Sequence, residues 1–212
     1  MELASQFRSR ILFASSNQHK VQEVRAILRE CGVEVIGLDD VERTVPEPAE
    51  DGQTFADNAR IKAVYYARAA KRFCLADDSG LEVDALRAAP GVRSARYAGT
   101  GRSRAQRDRA NNERLLRELA AVPREKRTAR FVCAMCLADP QGNVVAETQG
   151  EVEGLIGSEP RGDNGFGYDP LFVLPELGRT NAELSSQEKN ALSHRGRAAR
   201  SMAQRIRELA LV

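Results

Sequence analysis

Long apolar runs are missing from this sequence, and none approaches the ~20 residues that span a bilayer. The first ten residues also lack the apolar core and the small-residue cleavage pattern of a secretory signal. Neither sign of charge is in excess, since 32 Lys and Arg residues face 30 Asp and Glu residues for a net charge of +2. The composition therefore predicts a cytoplasmic protein that binds neither membranes nor, through bulk charge, nucleic acid.

Histidine and cysteine are scarce as well, with two and four residues. Only Cys133 and Cys136 are close together, in a run that is typical of a strand, where side chains three apart point to opposite faces. No second C-x-x-C completes a zinc site, and two histidines are too few for a His-rich metal site. We therefore expect buried thiols in a reducing compartment rather than a metal or redox motif.

Two signatures of phosphate binding are absent from the chain. No G-x-x-x-x-G-K-[ST] occurs, and no G-x-G-x-x-G follows a strand pattern. The protein is therefore neither a P-loop protein nor a carrier of the dinucleotide-binding fingerprint.

Strand and helix patterns alternate along the 212 residues. Residues 11–38 predict a strand, a polar loop, a helix that ends at Gly32 and a second strand, which together form a βαβ unit. An alanine-rich helix is predicted from Thr54 to about Lys71, and the residues around the turn P-Q-G-N predict a hairpin.

The rest of the chain fits the same architecture. Residues 87–104 have little periodicity and predict a long loop, which a helix follows to about Ala121. Residues 182–190 and 194–210 predict helices. Because a crossover and a hairpin occur together and no linker is apparent, the sequence predicts an α/β fold with a mixed sheet, in one domain over residues 1–212.

The segment S-S-N-Q-H-K, from Ser15 to Lys20, lies between the first strand and the first helix. Free backbone N–H groups and the positive end of the helix dipole meet there and favour an anion. Lys20 adds a point charge that suits phosphate. The alternative is an ordinary N-cap at Ser16 or Asn17 beside a solvated lysine.

Two adjacent carboxylates, Asp77 and Asp78, follow a short apolar run in A-D-D-S-G. Neighbouring side chains on extended chain point opposite ways, so one carboxylate should enter the crevice where α/β sheets bind ligands. A hard oxygen ligand there suits Mg²⁺, and the acidic run of Glu47, Glu50 and Asp51 could supply another. The alternatives are a D-S-G turn with a capping aspartate and a solvated acidic loop.

Two later segments also carry candidate residues. In G-F-G-Y-D-P, glycines on both sides of Phe166 let the backbone approach a ligand, and the ring could stack on a base. In S-H-R-G, the guanidinium of Arg195 suits carbonyl oxygens or phosphate. The alternatives are a turn whose aromatic rings pack on the core and an N-cap at Ser193 before a solvated basic face.

In this order, the segments resemble the inosine triphosphate pyrophosphatase family, also called the Ham1/RdgB-like dITP/XTP pyrophosphatases. The matching segments are F-A-S-S-N-Q-H-K, F-A-D-N-A-R-I-K-A, L-A-D-D-S-G-L-E-V-D-A-L, P-G-V-R-S-A-R-Y-A-G, G-F-G-Y-D-P-L-F and E-K-N-A-L-S-H-R-G-R-A. The resemblance extends from about residue 10 to the C-terminus. Ser15 and Ser16 stand where members usually carry Thr-Gly, and residues 1–9 have no counterpart, which predicts an N-terminal extension.

The resemblance implies an activity and an architecture. Members hydrolyse purine nucleoside triphosphates that carry hypoxanthine or xanthine to the monophosphate and pyrophosphate, with Mg²⁺ as cofactor. They fold as two α/β lobes around a long mixed sheet, with a substrate cleft between the lobes, and they pair as homodimers.

The resemblance also assigns roles to residues. Asp78 would bind Mg²⁺ and accept a proton from the attacking water, with Asp77 as its partner, Lys20 on the phosphates and Glu50 as a further metal ligand. Arg195 or its neighbour His194 would donate to the oxo group at position 6 of the base, where adenine has an amino group. The residues expected to contact the substrate are Ser15, Ser16, Asn17, Gln18, His19, Lys20, Ser79, Phe166, Gly167, Tyr168, Asp169, Lys189, His194 and Arg195.

Two other classes of function stay open at this point. One is a catalytically silent nucleotide-binding or sensor protein on the same fold, which would not need an adjacent carboxylate pair. The other is a nucleic-acid-binding module, against which the near-neutral net charge argues. Its arginines would be Arg93, Arg96, Arg102, Arg104, Arg107 and Arg109.

Overall fold

The computed structural model describes residues 11–41, 45–101 and 103–210. The extension predicted at residues 1–9 lies outside the described residues, and so does Arg102. Across these three stretches, no helix is both long enough and apolar enough to cross a membrane.

Strands from the whole described chain form one mixed sheet, ordered β2-β1-β3-β5-β6-β7-β8, with β4 paired to β3. The strands are β1 Ile11–Phe13, β2 Val35–Ile36, β3 Cys74–Val83, β4 Ala89–Pro90, β5 Thr128–Ala138, β6 Val144–Ile156, β7 Phe172–Leu174 and β8 Arg179–Thr180. Strand β1 pairs in parallel with β2 and β3, whereas β7 pairs antiparallel with β6 and β8. The α/β fold with a long mixed sheet is therefore confirmed.

Five α-helices flank the strands in the described part of the chain. They are α1 Gln18–Glu30, α2 Phe55–Ala70, α3 Arg104–Glu118, α4 Ser186–Leu192 and α5 His194–Ala210. Helix α2 begins at Thr54, whose side chain and that of Asp57 cap each other's backbone N–H groups, and it ends at Lys71. The predicted boundaries of this helix are confirmed. The start could be predicted because Thr54 and Asp57 have the spacing of a capping box.

Three local predictions are wrong. One is the helix at 182–190, where the structure has a 3₁₀ turn at Asn181–Glu183 and α4 begins only at Ser186. The segment D-D-S-G does not follow a strand but lies inside the ten-residue β3, so the alternative of a D-S-G turn is wrong too. The predicted loop 87–104 contains β4 and a short 3₁₀ helix, Gly91–Arg96. Ser94 of this 3₁₀ helix lies close to β3 at Gly80, since a Cβ on Gly80 would lie 2.3 Å from the Ser94 Oγ.

The chain divides into two compact units, each made of discontinuous segments. Unit 1 comprises residues 1–78, 133–150 and 194–212, and unit 2 comprises residues 79–132 and 151–193. Strands β3, β5 and β6 each begin in one unit and continue into the other. The division does not test the prediction of one domain, which stays a prediction.

Each unit has its own hydrophobic core. In unit 1, apolar side chains of α1 and α5 pack with those of β1, β2, β3 and β5. In unit 2, Leu115 and Leu119 pack with Phe131, Tyr168 and Phe172. Cys74, Cys133 and Cys136 are buried free thiols, so the expectation of buried cysteines holds for these three, whereas Cys31 is only half-buried.

Candidate active site

Asp77 is a buried carboxylate of unit 1, with 1% of its surface exposed. The Lys20 Nζ lies 3.1 Å from its Oδ2, and the Arg195 Nε lies 3.3 Å from the same oxygen. The Cys133 thiol donates to this oxygen as well, at 3.8 Å. Burial alone would raise the pKa of Asp77, but Lys20, Arg195 and Lys62 outweigh it and hold the pKa below its usual value, so the group is ionised.

Arg195 is buried between two carboxylates of unit 1, with 1% of its surface exposed. Its Nη1 donates to the Glu23 Oε2 at 2.6 Å, while its Nε donates to Asp77. Burial would lower the pKa of Arg195, but Glu23 and Asp77 raise it above its ordinary value. The alternative of a solvated basic face is wrong for Arg195 and for its buried neighbour His194.

Asp78 points to a second set of partners, as strand alternation requires. The Asn58 Nδ2 donates to its Oδ2 at 3.1 Å, and the Lys62 Nζ donates to its Oδ1 at 3.4 Å. Asn58 and Lys62 are four residues apart on α2, so one face of that helix supplies both donors. Burial would lower the pKa of Lys62, but Asp78, Asp77 and Glu50 raise it, which keeps the ammonium charged.

Glu50 is held beside this group by two contacts. Its Oε2 lies 3.4 Å from the Lys62 Nζ, so Glu50 and Asp78 share one cation. Asn58 accepts a hydrogen bond from the Gly52 N–H at 2.9 Å, which fastens the loop that carries Glu50 to α2. The alternative of a wholly solvated acidic loop is therefore wrong for Glu50, whereas Glu47 is exposed.

The loop before α1 combines an N-cap with the predicted lysine. The Asn17 Oδ1 accepts from the His19 N–H at 3.2 Å, and the Ser15 Oγ accepts from the Asn17 N–H at 3.2 Å. Ser16 and His19 are exposed. The exposed Gln18 donates to the Asp39 Oδ2 at 2.6 Å. The N-cap alternative therefore holds for Asn17, but Lys20 is ion-paired with Asp77 rather than solvated.

In unit 2, Phe166 and Lys189 lie together. The Lys189 Nζ is 4.7 Å from the centroid of the Phe166 ring and 2.7 Å from the Asp169 Oδ2. Asp169 also accepts from the Phe166 N–H at 2.8 Å and from the Asn181 Nδ2 at 3.3 Å. Asp169 thus fixes the turn and the ammonium at once.

Two other residues of this loop are held elsewhere in unit 2. Tyr168 belongs to the hydrophobic core, and its hydroxyl donates to the Ser94 carbonyl at 2.9 Å, so the alternative of an aromatic ring packed on the core holds for Tyr168. The Gly167 N–H donates a hydrogen bond to Asp108, and the Gly167 carbonyl accepts one from Asn112; both side chains belong to α3. Ser79 follows Asp78 on β3 and is half-buried.

Sequence reasoning missed several of these residues. Asn58 and Lys62 stand in F-A-D-N-A-R-I-K-A, where their spacing of four was the available signal for a shared face. Glu23 stands one turn after Lys20 on α1 and gave no such signal, because its partner Arg195 is 172 residues away. Cys133 was expected to be an inert core thiol, yet it contacts Asp77.

Two carboxylates of unit 1, Asp78 and Glu50, have the oxygen chemistry of a magnesium ligand. Asp78 and Glu50 both reach the Lys62 Nζ, so their oxygens converge on a single positive charge. No group of three or more His, Cys, Asp or Glu side chains that could hold a metal occurs in the described stretches. Two carboxylates match Mg²⁺, which takes one or two protein carboxylates and completes its shell with water and substrate phosphates.

Residues 11–205 match the model of the Ham1 family. This chain belongs to the Ham1 family. Several curated relatives of the Ham1 chain are named dITP/XTP pyrophosphatase. The relative from Exiguobacterium sibiricum is 49% identical over 193 residues, which cover 91% of this chain and 94% of the relative. The relative from Frankia alni is 50% identical over 203 residues, which cover 94% of this chain and 98% of the relative.

Solved structures of Ham1 proteins have the same fold as this Ham1 chain. The Ham1 protein from Coxiella burnetii superposes with a TM-score of 0.82 at 40% identity, over 94% of this chain and 98% of that one. The Ham1 protein from Staphylococcus aureus gives a TM-score of 0.79 at 38% identity, over 94% of this chain and 99% of that one.

Proposed function

We propose that this chain is a dITP/XTP pyrophosphatase that hydrolyses deaminated purine nucleoside triphosphates, ITP among them, to the monophosphate and pyrophosphate. The names of relatives that are 49% and 50% identical over more than nine-tenths of the chain support this activity. The observation that carries it is the partition of two adjacent carboxylates. Asp77 is neutralised by Lys20 and Arg195, whereas Asp78 is held by Asn58 and Lys62 beside Glu50.

Asp78 is the proton acceptor in this proposal. A general base must be oriented so that its lone pair can accept a proton from the water that attacks the phosphorus. The amide of Asn58 donates to one oxygen of Asp78, and the ammonium of Lys62 donates to the other. A silent nucleotide-binding protein would not need a carboxylate oriented in this way, so the arrangement favours an enzyme.

Lys20 is the phosphate-binding cation of this proposal. It stands in the first turn of α1, where the helix dipole and backbone N–H groups also favour an anion. Its pairing with Asp77 holds the ammonium ready at this helix end before substrate arrives. Hydrolysis of a phosphoanhydride depends on positioning and charge neutralisation, so no covalent nucleophile is required.

Mg²⁺ is the cofactor that we propose, with Asp78 and Glu50 as the residues that would hold it. When bound, such an ion neutralises developing charge on the phosphate oxygens and lowers the pKa of water. Lys62 supports this assignment, because it contacts both carboxylates and would share their negative charge. Glu47 is exposed, so we prefer Glu50 to Glu47 as the second metal ligand.

We assign recognition of the base to Phe166, Asp169 and Lys189 of unit 2. The ring of Phe166 offers a stacking surface, and Lys189 is a buried cation that can only donate hydrogen bonds. Reading of the oxo group at position 6 stays proposed for Arg195 or His194. A nucleoside triphosphate is the partner that these groups fit, and the homodimer stays a proposal by resemblance.

A panel of nucleoside triphosphates tests the proposed function. ITP, dITP, XTP, ATP and GTP are incubated with Mg²⁺, and pyrophosphate and phosphate are scored separately. We expect rapid release of pyrophosphate from the first three and slow release from ATP and GTP. Binding of ITP without any release would support the sensor instead. A gel shift with nucleic acid that persists at moderate salt would support the nucleic-acid-binding module.

A further inference from the structure

Two side chains of α3 hold the backbone of Gly167, the residue that follows Phe166. The Gly167 N–H donates to the Asp108 Oδ2 at 3.0 Å. The Asn112 Nδ2 donates to the Gly167 carbonyl at 3.0 Å. Because Asp108 and Asn112 are four residues apart on the helix, both project from one face of it. The N–H and the carbonyl of Gly167 are therefore both held by side chains of α3.

Gly167 is the residue of this loop that most needs such support. Its φ of +64° lies in the left-handed region, and no atom would meet a Cβ there within 4 Å. A glycine in open space has more conformational freedom than any other residue. The neighbouring turn is closed from within, since the Phe166 N–H donates to Asp169 and the Asp169 N–H donates to the Phe166 carbonyl. Asp108 and Asn112 add two hydrogen bonds to this turn, at Gly167, the residue after Phe166.

The position of the Phe166 ring depends on this backbone. Lys189 lies over the ring at 4.7 Å, and Asp169 fixes the ammonium of Lys189 at 2.7 Å. A shift of the 165–167 backbone would move the Phe166 ring away from the ammonium of Lys189, which is buried and paired with Asp169. The hydrogen bonds to Gly167 therefore hold the backbone directly beside the residue that carries the ring.

We propose that Asp108 and Asn112 are positioning residues that hold the Phe166 loop in its base-accepting shape before substrate binds. The proposal rests on the proposed function and deepens it, because it names how the base site is kept in order. A loop that is ordered in advance loses little conformational entropy when it binds. Without the hydrogen bonds to Gly167, we expect the KM for ITP to rise roughly two- to tenfold, whereas kcat is retained because Asp78 and Lys20 are unchanged.

Four single variants test this role with ITP and saturating Mg²⁺. D108A and N112A each remove one hydrogen bond to Gly167 and are expected to raise KM with kcat preserved. D108N keeps an oxygen that can accept from the Gly167 N–H, so it should recover most of the affinity that D108A loses. E113A is the matched control, because Glu113 is exposed on the same helix. The melting temperature of each variant is measured alongside.

A second readout does not depend on activity. The chain has no tryptophan, so Phe166→Trp introduces a single fluorescent reporter on the loop. In this background, D108A and N112A should increase the fast component of the anisotropy decay, whereas E113A should not. The Trp variant thus reports the order of the loop even when no substrate is present.

The outcomes separate the two proposals. Failure of the wild-type chain to hydrolyse ITP would reject the proposed function, while the anisotropy would still test the hydrogen bonds to Gly167. With an active wild type, unchanged KM and unchanged anisotropy in D108A and N112A would overturn the positioning role. Equal losses in D108N and D108A would overturn it as well, because the charge rather than the hydrogen bond would then matter. A fall in kcat that follows the melting temperature in all variants would indicate a merely structural role.

Discussion

Asp77 and Asp78 are neighbours on one strand, yet they contact different cations. Lys20 and Arg195 form ion pairs with Asp77, and Lys62 forms an ion pair with Asp78. Strand alternation explains the division, because successive side chains of β3 point to opposite sides of the sheet. One carboxylate is thereby committed to an ion-pair network, and the other remains suited to chemistry.

Asp78→Asn should lower kcat by ~10²–10⁴-fold, the range over which general bases contribute. The change preserves the shape of the side chain but removes the charge and the proton acceptor. Steady-state kinetics with ITP measure the effect, and the melting temperature shows that the fold is retained. Asp163→Asn is the matched control, because Asp163 is exposed. Near-normal turnover of Asp78→Asn would transfer the catalytic role to Asp77 or Glu50.

Asp77→Asn should be primarily a stability variant. It leaves Lys20 and Arg195 with one carboxylate fewer in a buried site, and such losses cost about 3–5 kcal/mol. Urea unfolding monitored by circular dichroism measures the free energy of unfolding. Glu208→Gln breaks the exposed ion pair with Arg205 and should cost at most about 1 kcal/mol. Equal effects of the two variants would contradict the network.

Glu50→Gln should raise the Mg²⁺ concentration that gives half-maximal activity. Even partners outside the first ligand shell change metal affinity by 10–100-fold, so we expect a rise of at least roughly tenfold. Glu47→Gln is the control from the same acidic run and should behave as the wild type. Magnesium titrations of ITP hydrolysis measure both. An effect of Glu47→Gln alone would assign the metal to Glu47.

Arg195→Ala tests whether this arginine also reads the base. A donor aimed at position 6 gains a hydrogen bond from hypoxanthine and meets another donor in adenine, at a cost of ~1–3 kcal/mol. The ITP:ATP ratio of kcat/KM should therefore narrow by roughly ten- to two-hundredfold, with a smaller change in the ITP:GTP ratio. These ratios are insensitive to lost stability, because both substrates share one enzyme preparation. An unchanged ITP:ATP ratio would restrict Arg195 to its ion pairs with Asp77 and Glu23.

Features that depend on local chemistry could be predicted from the sequence. Thr54 and Asp57 determine where α2 begins, and the opposite orientations of Asp77 and Asp78 follow from extended chain. The interruption of β3 was wrongly predicted, because D-D-S-G has the composition of a turn. In the structure the strand continues through this segment, and Ser94 lies close to Gly80.

Contacts between distant segments could not be predicted. Asp108 and Gly167 are 59 residues apart, and Glu23 and Arg195 are 172 apart, so no local pattern connects either pair. The family resemblance predicted the chemistry of Asp78, but its hydrogen bond from Asn58 arises only when α2 packs on the strand. The family resemblance thus indicated the reaction, whereas tertiary packing determined which groups contact each candidate side chain.

Hydrolysis of ITP in heavy-oxygen-labelled water tests the central claim most directly. If Asp78 activates water for attack at the α-phosphorus while Lys20 holds the phosphates, the label enters the monophosphate and the pyrophosphate stays unlabelled. Mass spectrometry of the two products reads the position of the label after one turnover. We predict labelled IMP and unlabelled pyrophosphate. Label in pyrophosphate, or release of IDP and free phosphate, would contradict the account.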